Sequence, residues 1–427
     1  MKKIALFSFL VWAISSTFAQ PAATLFTTGR YIIGNCGDTI VLKGVNYAAY
    51  NWGYNPNQLR IDQIAQTGAN AVRIPWYASG SPALYADYIA LDSVLSKCIQ
   101  ADMIPILELH DQTCQNNHAA VTQLANFFTQ PNVHSMLQKY KHSLILNIAN
   151  EALHVNWTAN PVQALQTYQV TYANIVNTLR SNDLYMPIMI DAPDCGTNID
   201  ALASVGAALI ANDPQHNLIF SAHAYWYGFA NNDSMTYVSK INNALAANIP
   251  IIFGEVANLQ DDQQMCQYTL DYKPILSICE QHKIGWLAWS WDNDGCPQRQ
   301  MTSTGNYANL TPYGQVIVNN PVYGIKNTAK KSKYLVSNNC VVSSVQAPQK
   351  VLNSLLQIEN KTDELVFRNI DNQGFSLQLF NLAGQGVLNI YLAPNQTYLL
   401  NKAQLSTSLY AIRVQQGATF VTGKYGF

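Results

Sequence analysis

Two glutamates, Glu151 and Glu255, each close a short apolar run: Leu144-Ile-Leu-Asn-Ile-Ala-Asn-Glu151 and Ile251-Ile-Phe-Gly-Glu255. Two carboxylates brought together from separate strand ends suit hydrolysis of a glycosidic bond, where one protonates the departing oxygen and the other attacks or directs water. Other chemically useful side chains follow apolar runs in the same way. Arg73 follows Ala71-Val72, His110 follows Ile106-Leu107-Glu108-Leu109, and Asn150 directly precedes Glu151. His223 and Tyr225 follow Phe220-Ser221-Ala222, and Trp289 lies within Gly285-Trp-Leu-Ala-Trp-Ser-Trp291. Either glutamate alone reads equally well as an ordinary strand-end carboxylate facing solvent, and Trp289 alone could be a barrel-core tryptophan. A ring of such residues has no structural reason, because burying Arg, His and Glu together costs free energy unless function retains them.

Such a ring needs strands whose carboxyl ends converge. Between residues 40 and 330 eight β-branched runs recur: Ile40-Val45, Ala71-Ile74, Ile104-Leu109, Leu144-Ile148, Pro187-Ile190, Leu218-Ser221, Pro250-Phe253 and Gly285-Ser290. Helical stretches separate them, among them Asn57-Thr67, Ala86-Gln100, Pro161-Ser181 and Asp262-His282. The alternation predicts an α/β fold with a parallel sheet, and eight such units predict a closed (β/α)8 TIM barrel with its site at the carboxyl ends of the strands. An open doubly wound sheet is the alternative; it would be expected to carry a glycine-rich dinucleotide turn after an early strand, and the sequence has none.

Past Lys333 the character changes. Tyr334 to Lys350, rich in Ser, Asn, Val and Gln, reads as a linker. Short alternating runs follow at Glu364-Arg368, Ser376-Asn381, Gly386-Leu392, Thr397-Leu400, Leu409-Val414 and Ala418-Thr422. They predict a small antiparallel β-sandwich. The expected organisation is a signal peptide at 1–19, a catalytic barrel at 20–333, a linker at 334–350 and a C-terminal sandwich at 351–427.

Composition narrows the partners. Of 427 residues only 11% are charged and the net charge is −1, which argues against a nucleic-acid or electrostatic membrane surface. Abundant Tyr, Trp, Asn and Gln suit an uncharged, hydroxyl-rich ligand. Lys2 and Lys3, the apolar stretch Ile4 to Phe18 and Thr17-Phe18-Ala19 read as an export signal cleaved after Ala19. That stretch is short for a spanning helix and no other run is long enough, so no membrane span is expected after its removal. Eight cysteines in an oxidising compartment predict disulfides rather than scattered thiols, and none has zinc-site spacing. Cys114, Cys195 and Cys296 each follow a strand end and are expected on the catalytic face. Cys266 follows the seventh strand, neighbour of the eighth, so Cys266–Cys296 is the expected local bridge, with Cys279 competing for either partner.

Taken in order, Arg73, His110, Asn150-Glu151, His223-x-Tyr225, Glu255 and Trp289 resemble the active-site set of glycoside hydrolase family 5, the cellulase-type barrel. The strings Thr67-Gly-Ala-Asn-Ala-Val-Arg73, Leu107-Glu-Leu-His-Asp111, Asn147-Ile-Ala-Asn-Glu151, Asn212-Asp-Pro-Gln-His-Asn217 and Gly285-Trp-Leu-Ala-Trp-Ser-Trp291 look most like its bacterial endo-β-1,4-mannanase branch. The likeness spans about residues 40 to 328. Ala152 and Val256-Ala257 depart from the usual residues beside the two glutamates. The resemblance implies a secreted or surface-attached retaining endo-β-1,4-glycanase, with β-mannan favoured over cellulose as the polysaccharide partner. The alternatives are a β-1,4-endoglucanase and a non-catalytic glycan binder.

By that resemblance Glu151 is acid and then base, and Glu255 is the nucleophile. Arg73 is placed to keep Glu255 charged, with Tyr225 able to bond the same carboxylate. His223 orients the acid side, Asn150 binds the sugar 2-hydroxyl, and Trp289 offers a flat face to the ring. Trp286 is expected in the core. Glu108, one layer below His110, reads as an interior support for it. Tyr47, Trp52, Trp76, Trp157, Trp226 and Trp291 are flanking subsites or loop packing. No metal and no organic cofactor are implied. In the tail, Phe375-Ser-Leu-Gln-Leu-Phe-Asn-Leu-Ala-Gly-Gln385 and Leu405-Ser-Thr-Ser-Leu-Tyr-Ala-Ile-Arg-Val414 resemble the sorting domain of the Bacteroidetes type IX secretion system, with Ser408 where a Gly is typical. The secretion machinery would then be a second partner. The alternative, a carbohydrate-binding module, lacks a tail Trp on which to stack sugar.

Overall fold

Eight parallel strands close on themselves: β1 (Lys43–Asn46), β2 (Ala71–Trp76), β3 (Ile104–Leu109), β4 (Ile145–Asn147), β5 (Ile188–Asp191), β6 (Leu218–His223), β7 (Ile251–Val256) and β8 (Gly285–Ala288). Each pairs with the next in sequence, and β8 pairs back onto β1 with Trp286 opposite Lys43, Leu287 opposite Gly44 and Ala288 opposite Val45. This computed structural model describes residues 24–49, 59–79, 88–224, 233–261, 265–337, 355–381, 386–405, 409–416 and 419–426. The signal segment, Tyr225, Trp52, Trp226 and most of the expected linker lie outside those residues.

All eight expected runs form the barrel, because strands buried on both faces must be apolar along their whole length. Their inner face stacks Ala71, Ile104, Ile145, Met189, Ile219, Ile252 and Leu287. Ile32 and Ile40 from an antiparallel sheet (Phe26–Thr28, Tyr31–Ile33, Thr39–Ile40) and Leu25 just before it pack into the same cluster, as does Leu335 of the helix Lys333–Ser337. That helix occupies the first residues of the stretch read as a linker. The outer face meets helices including Tyr88–Gln100, Pro161–Ser181 and Ile199–Asn212. Close approach of β1 to β2 requires Gly44: a Cβ there would lie 1.8 Å from the Ala71 carbonyl oxygen. The string Asn212–Asn217 is a structural device. Asp213 takes Arg180 bidentately (2.8 and 2.9 Å) and the Asn217 N–H (2.9 Å), tying the end of one helix to the start of β6.

One helix differs from expectation. Of the described residues of the run Asp262–His282, those from Tyr272 are helical. Before it, Leu259 and Thr269 form an antiparallel bridge and Cys266 is bonded to Cys296, which holds residues 265–271 as a loop. The Cys266–Cys296 bridge is the expected one (Cα–Cα 5.6 Å), and Cys279 is a buried free thiol. A second bridge joins Cys114 to Cys195, and Cys36 is disulfide-bonded as well. Closing loops of 30 and 81 residues is worth roughly 3.5 and 4.5 kcal/mol in the chain-entropy account.

A second compact unit runs from Cys340. β9 (Leu356–Asn360), β10 (Glu364–Asn369) and β13 (Thr397–Asn401) form one antiparallel sheet in the order β9-β10-β13. β11 (Phe375–Phe380), β12 (Gly386–Leu392), β14 (Leu409–Gln416) and β15 (Thr419–Gly426) form another in the order β12-β11-β14-β15. Residues of both sheets share one core, with Leu365, Phe367 and Leu400 against Phe375, Leu377, Leu379 and Ile412, which makes the unit a small sandwich. The alternating burial of β11 is the period-2 signal visible in its sequence. β9, which the sequence did not announce, is mostly exposed and polar. Among the described residues no helix is long and apolar enough to cross a membrane.

Candidate active site

At the carboxyl end of the barrel Arg73 is fully buried, and every guanidinium donor is used. Nε donates to Asn147 Oδ1 (2.9 Å), Nη1 to Asn46 Oδ1 (3.0 Å) and Glu255 Oε1 (2.7 Å), and Nη2 to Asn150 Oδ1 (2.7 Å) and Asp191 Oδ2 (3.1 Å). One side chain from β2 thereby ties together the ends of β1, β4, β5 and β7. Strand alternation sets this up, since Arg73 takes an inward position above Ala71.

Glu151 follows β4 at φ +50°, a conformation that non-glycine residues seldom adopt and that clusters at functional sites. Its N–H is held by Asp191 Oδ2 at 3.2 Å. His223, at the end of β6, sets Nδ1 2.6 Å from Glu151 Oε1 and 3.7 Å from Glu255 Oε1. One oxygen of each glutamate and a ring nitrogen of His223 lie within 4.8 Å of one another. Gly196 (φ +77°) lies against the imidazole, where a Cβ would come within 2.7 Å of the ring. Beside it the Cys114–Cys195 disulfide walls the acid side, with Cys114 Sγ 3.4 Å from Glu151 Oε2.

His110 directly follows β3, with Nδ1 3.2 Å from both oxygens of the fully buried Glu108. Glu108 therefore has the supporting place expected of it, and it also lies 3.6 Å from Arg73 Nη1. The His110 ring lies nearly parallel to Trp289, 6.1 Å between centroids and 13° between planes. Trp289 Nε1 donates to Asp294 Oδ2 (2.6 Å), which Arg299 holds in turn (2.8 Å). Asn150 gives its carbonyl to Arg73 and turns its amide toward Thr113 Oγ1 (3.1 Å). Of the aromatic rim, Tyr47, Trp76 and Trp291 are buried in the core and act as packing, as does Trp286, whereas Trp157 is 54% exposed.

Seven of the eight expected site residues thus stand at one end of the barrel, and Tyr225 lies outside the described residues. Sequence reading missed Asp191, Asn147 and Asn46. Asp191 closes the apolar run Ile188-Met-Ile, the same signal that exposed Glu151 and Glu255.

Charge balance decides the protonation states. Burial pulls the His223 pKa down, but Glu255 first, then Asp191 and Glu151, outweigh it and hold the imidazole at about 10. For Asp191, burial favours the neutral acid, yet Arg73 and then His223 and Asn147 bring it to about 2. Burial raises the Glu255 pKa above the ordinary carboxylate range, and His223 and Arg73 pull against that rise. Burial also opposes the charge on His110, which Glu108 restores, leaving its pKa raised.

Glu151, His223 and Glu255 are close enough to share a cation. The donor set does not favour one. A histidine ligand must be neutral, whereas His223 is held protonated, and Arg73 already supplies positive charge to Glu255.

A pH dependence of stability follows. His223 has a folded pKa of about 10 against an ordinary 6.5, so its contribution is whole below pH 6.5 and disappears as pH rises through 10. The denaturation midpoint of the wild type is expected to fall across that window more steeply than that of His223→Gln. Lys43, lowered by burial to about 8, works in the opposite sense at the upper end, and the difference between the two proteins cancels it. Parallel slopes would contradict a charged His223.

Residues 34–295 match the cellulase family, glycosyl hydrolase family 5. The chain is 26% identical over 318 residues to a mannan endo-1,4-beta-mannosidase of Salipaludibacillus agaradhaerens, covering 73% of this chain and 97% of that one. To a mannan endo-1,4-beta-mannosidase of Streptomyces lividans it is 27% identical, covering 72% and 75%. A beta-mannanase structure from Thermomonospora fusca superposes with a TM-score of 0.64 at 25% identity, over 74% of this chain and all of that one. A barrel of this order, with its carboxylates at the strand ends and a family match over more than half its length, makes the protein a glycoside hydrolase that belongs to glycosyl hydrolase family 5.

Proposed function

We propose that the protein is a retaining endo-β-1,4-glycanase acting on β-mannan. The observation that carries the chemistry is the pairing of Glu151 and Glu255 with oxygens inside 4.8 Å. That spacing agrees with the ~5–5.5 Å between carboxyl groups in retaining enzymes and falls short of the ~6.5–9.5 Å that leaves room for an inverting water. Glu151 donates its proton to the leaving oxygen while Glu255 attacks the anomeric carbon from the opposite face. Glu151, now ionised, then takes a proton from the water that hydrolyses the glycosyl-enzyme. Arg73 and His223 oppose the rise that burial gives the Glu255 pKa and so favour the anion that attacks, and His223 reaches Glu151 as well, so the imidazole couples the two halves of the cycle. Asn150 and Trp289 contact sugar, the first at a 2-hydroxyl and the second through its ring face. His110, propped by Glu108, lies beside that ring.

Support for mannan comes from the relatives, which carry that activity in their names, and from the strings around the glutamates. The C-terminal sandwich is proposed to be a type IX sorting domain that brings the protein outside the cell or to its surface, after a signal at 1–19 and beyond a linker at 334–350. Reducing-sugar release from parallel digests of galactomannan, glucomannan and carboxymethyl cellulose tests the substrate. Mannan and glucomannan are expected to be cut faster. Carboxymethyl cellulose cut faster than either would overturn the mannan assignment and make the protein an endoglucanase.

A further inference from the structure

Asp191 has no role in the cycle just described, yet it sits at its centre. It is fully buried at the end of β5. Oδ2 accepts Arg73 Nη2 (3.1 Å) and the Glu151 N–H (3.2 Å), and lies 3.5 Å from His223 Nε2. Oδ1 accepts Asn147 Nδ2 at 2.9 Å, and the Asp191 carbonyl takes the Tyr168 hydroxyl at 2.7 Å. The arrangement is a double bridge. Arg73 holds Glu255 with one terminal nitrogen and Asp191 with the other, and His223 faces Glu151 with Nδ1 and Asp191 with Nε2. Each cation is thus shared between one glutamate on the open side and the same aspartate behind.

We propose that Asp191 is a positioning residue for hydrolysis, fixing Arg73, His223 and the Glu151 main chain together so that both glutamates are held in register for the reaction. This rests on the roles assigned above to Glu151 and Glu255. Asp191 also sets the charge balance of the site. The charged or titratable groups facing this cluster are Arg73 from β2, Glu108 from β3, His110 after it, Glu151 after β4, His223 from β6 and Glu255 from β7, with Tyr168 and Tyr172 from the helix outside β5. Removing one negative charge from their midst makes the anionic form of Glu255 easier to reach. It also releases the two cations from their rear anchor, so the glutamates lose alignment as well as charge balance.

The test is the pH profile of kcat/KM for Asp191→Asn and Asp191→Ser on the polysaccharide that the wild type hydrolyses. The expected result is a fall in kcat of about 10²-fold from misalignment, with KM changed less than about 3-fold, since a side chain buried behind Arg73 touches no sugar. The acid limb of the bell, where Glu255 ionises, should move toward acid by about one pH unit, the scale on which a neighbouring charge shifts a carboxyl group. Asp191→Glu, which keeps the charge, should lose kcat while its limbs stay in place. Folding of each variant is read by circular dichroism. Near-normal kcat in the Asn and Ser variants, or lower kcat with an unmoved acid limb, overturns the proposal. Failure of both to fold also overturns it, by making the residue structural. A wild type with no bell-shaped profile on any polysaccharide would instead overturn the two-glutamate reading of the site.

Discussion

Glu255→Ala is expected to lose polysaccharide hydrolysis by on the order of 10⁴-fold or more, the scale seen when a covalent nucleophile is removed. The fold should survive, because the site's other anions, Asp191 and Glu108, still face Arg73. Azide should restore turnover of an aryl glycoside by entering the space left by the carboxylate. It then attacks the face opposite the leaving group, so the product is the α-glycosyl azide. Recovery of the β-azide, or near-normal activity without azide, would remove Glu255 from the nucleophile's place.

Glu151→Ala should show the complementary pattern. Polysaccharide turnover should fall by about 10²–10⁴-fold, the usual worth of a positioned general acid. An aryl glycoside whose phenol leaves without a proton should form the glycosyl-enzyme at nearly the normal rate and then stall. Here azide replaces the water that Glu151 no longer activates. It meets the glycosyl-enzyme from the face the leaving group vacated, and the product is the β-azide. Rates on the two substrate classes therefore separate the roles: equal losses on both would contradict the acid–base assignment. His223, at 2.6 Å from Glu151, would lose one of the anions that hold its proton, so this variant should also show a smaller alkaline loss of stability than the wild type.

What the sequence made legible follows from how barrels are built. A parallel strand buried on both faces is an apolar run, and the residue that ends it at the catalytic face is conspicuous by its polarity. That contrast exposed Arg73, His110, Glu151, His223, Glu255 and Trp289. It should have exposed Asp191, which ends Ile188-Met-Ile in the same way but is followed by Ala-Pro-Asp rather than by residues that attract a catalytic reading. Asn46 and Asn147 were hidden for another reason. They too end their strands, β1 and β4, but their importance is the geometry of one guanidinium whose five hydrogens need acceptors, a constraint no local window contains. Residues 265–271 depart from the helix expected there because a disulfide and a single β-bridge outweigh their helical propensity. The rim aromatics Tyr47, Trp76 and Trp291 show the converse: a large ring just past a strand end packs inward as readily as toward a ligand, and sequence periodicity carries no sign of which. The sandwich core was legible from period-2 alternation, whereas its exposed edge strand Leu356–Asn360 was not.

The central claim is that Glu151 and Glu255 act as a retaining pair. Its most direct test is a proton NMR time course of the wild-type enzyme cleaving a β-1,4-mannooligosaccharide, read at the anomeric signals of the newly formed reducing ends before mutarotation mixes them. Two successive displacements at one carbon predict that the β-anomer appears first and the α-anomer grows in later. Initial accumulation of the α-anomer would mean a single displacement by water and would contradict the account.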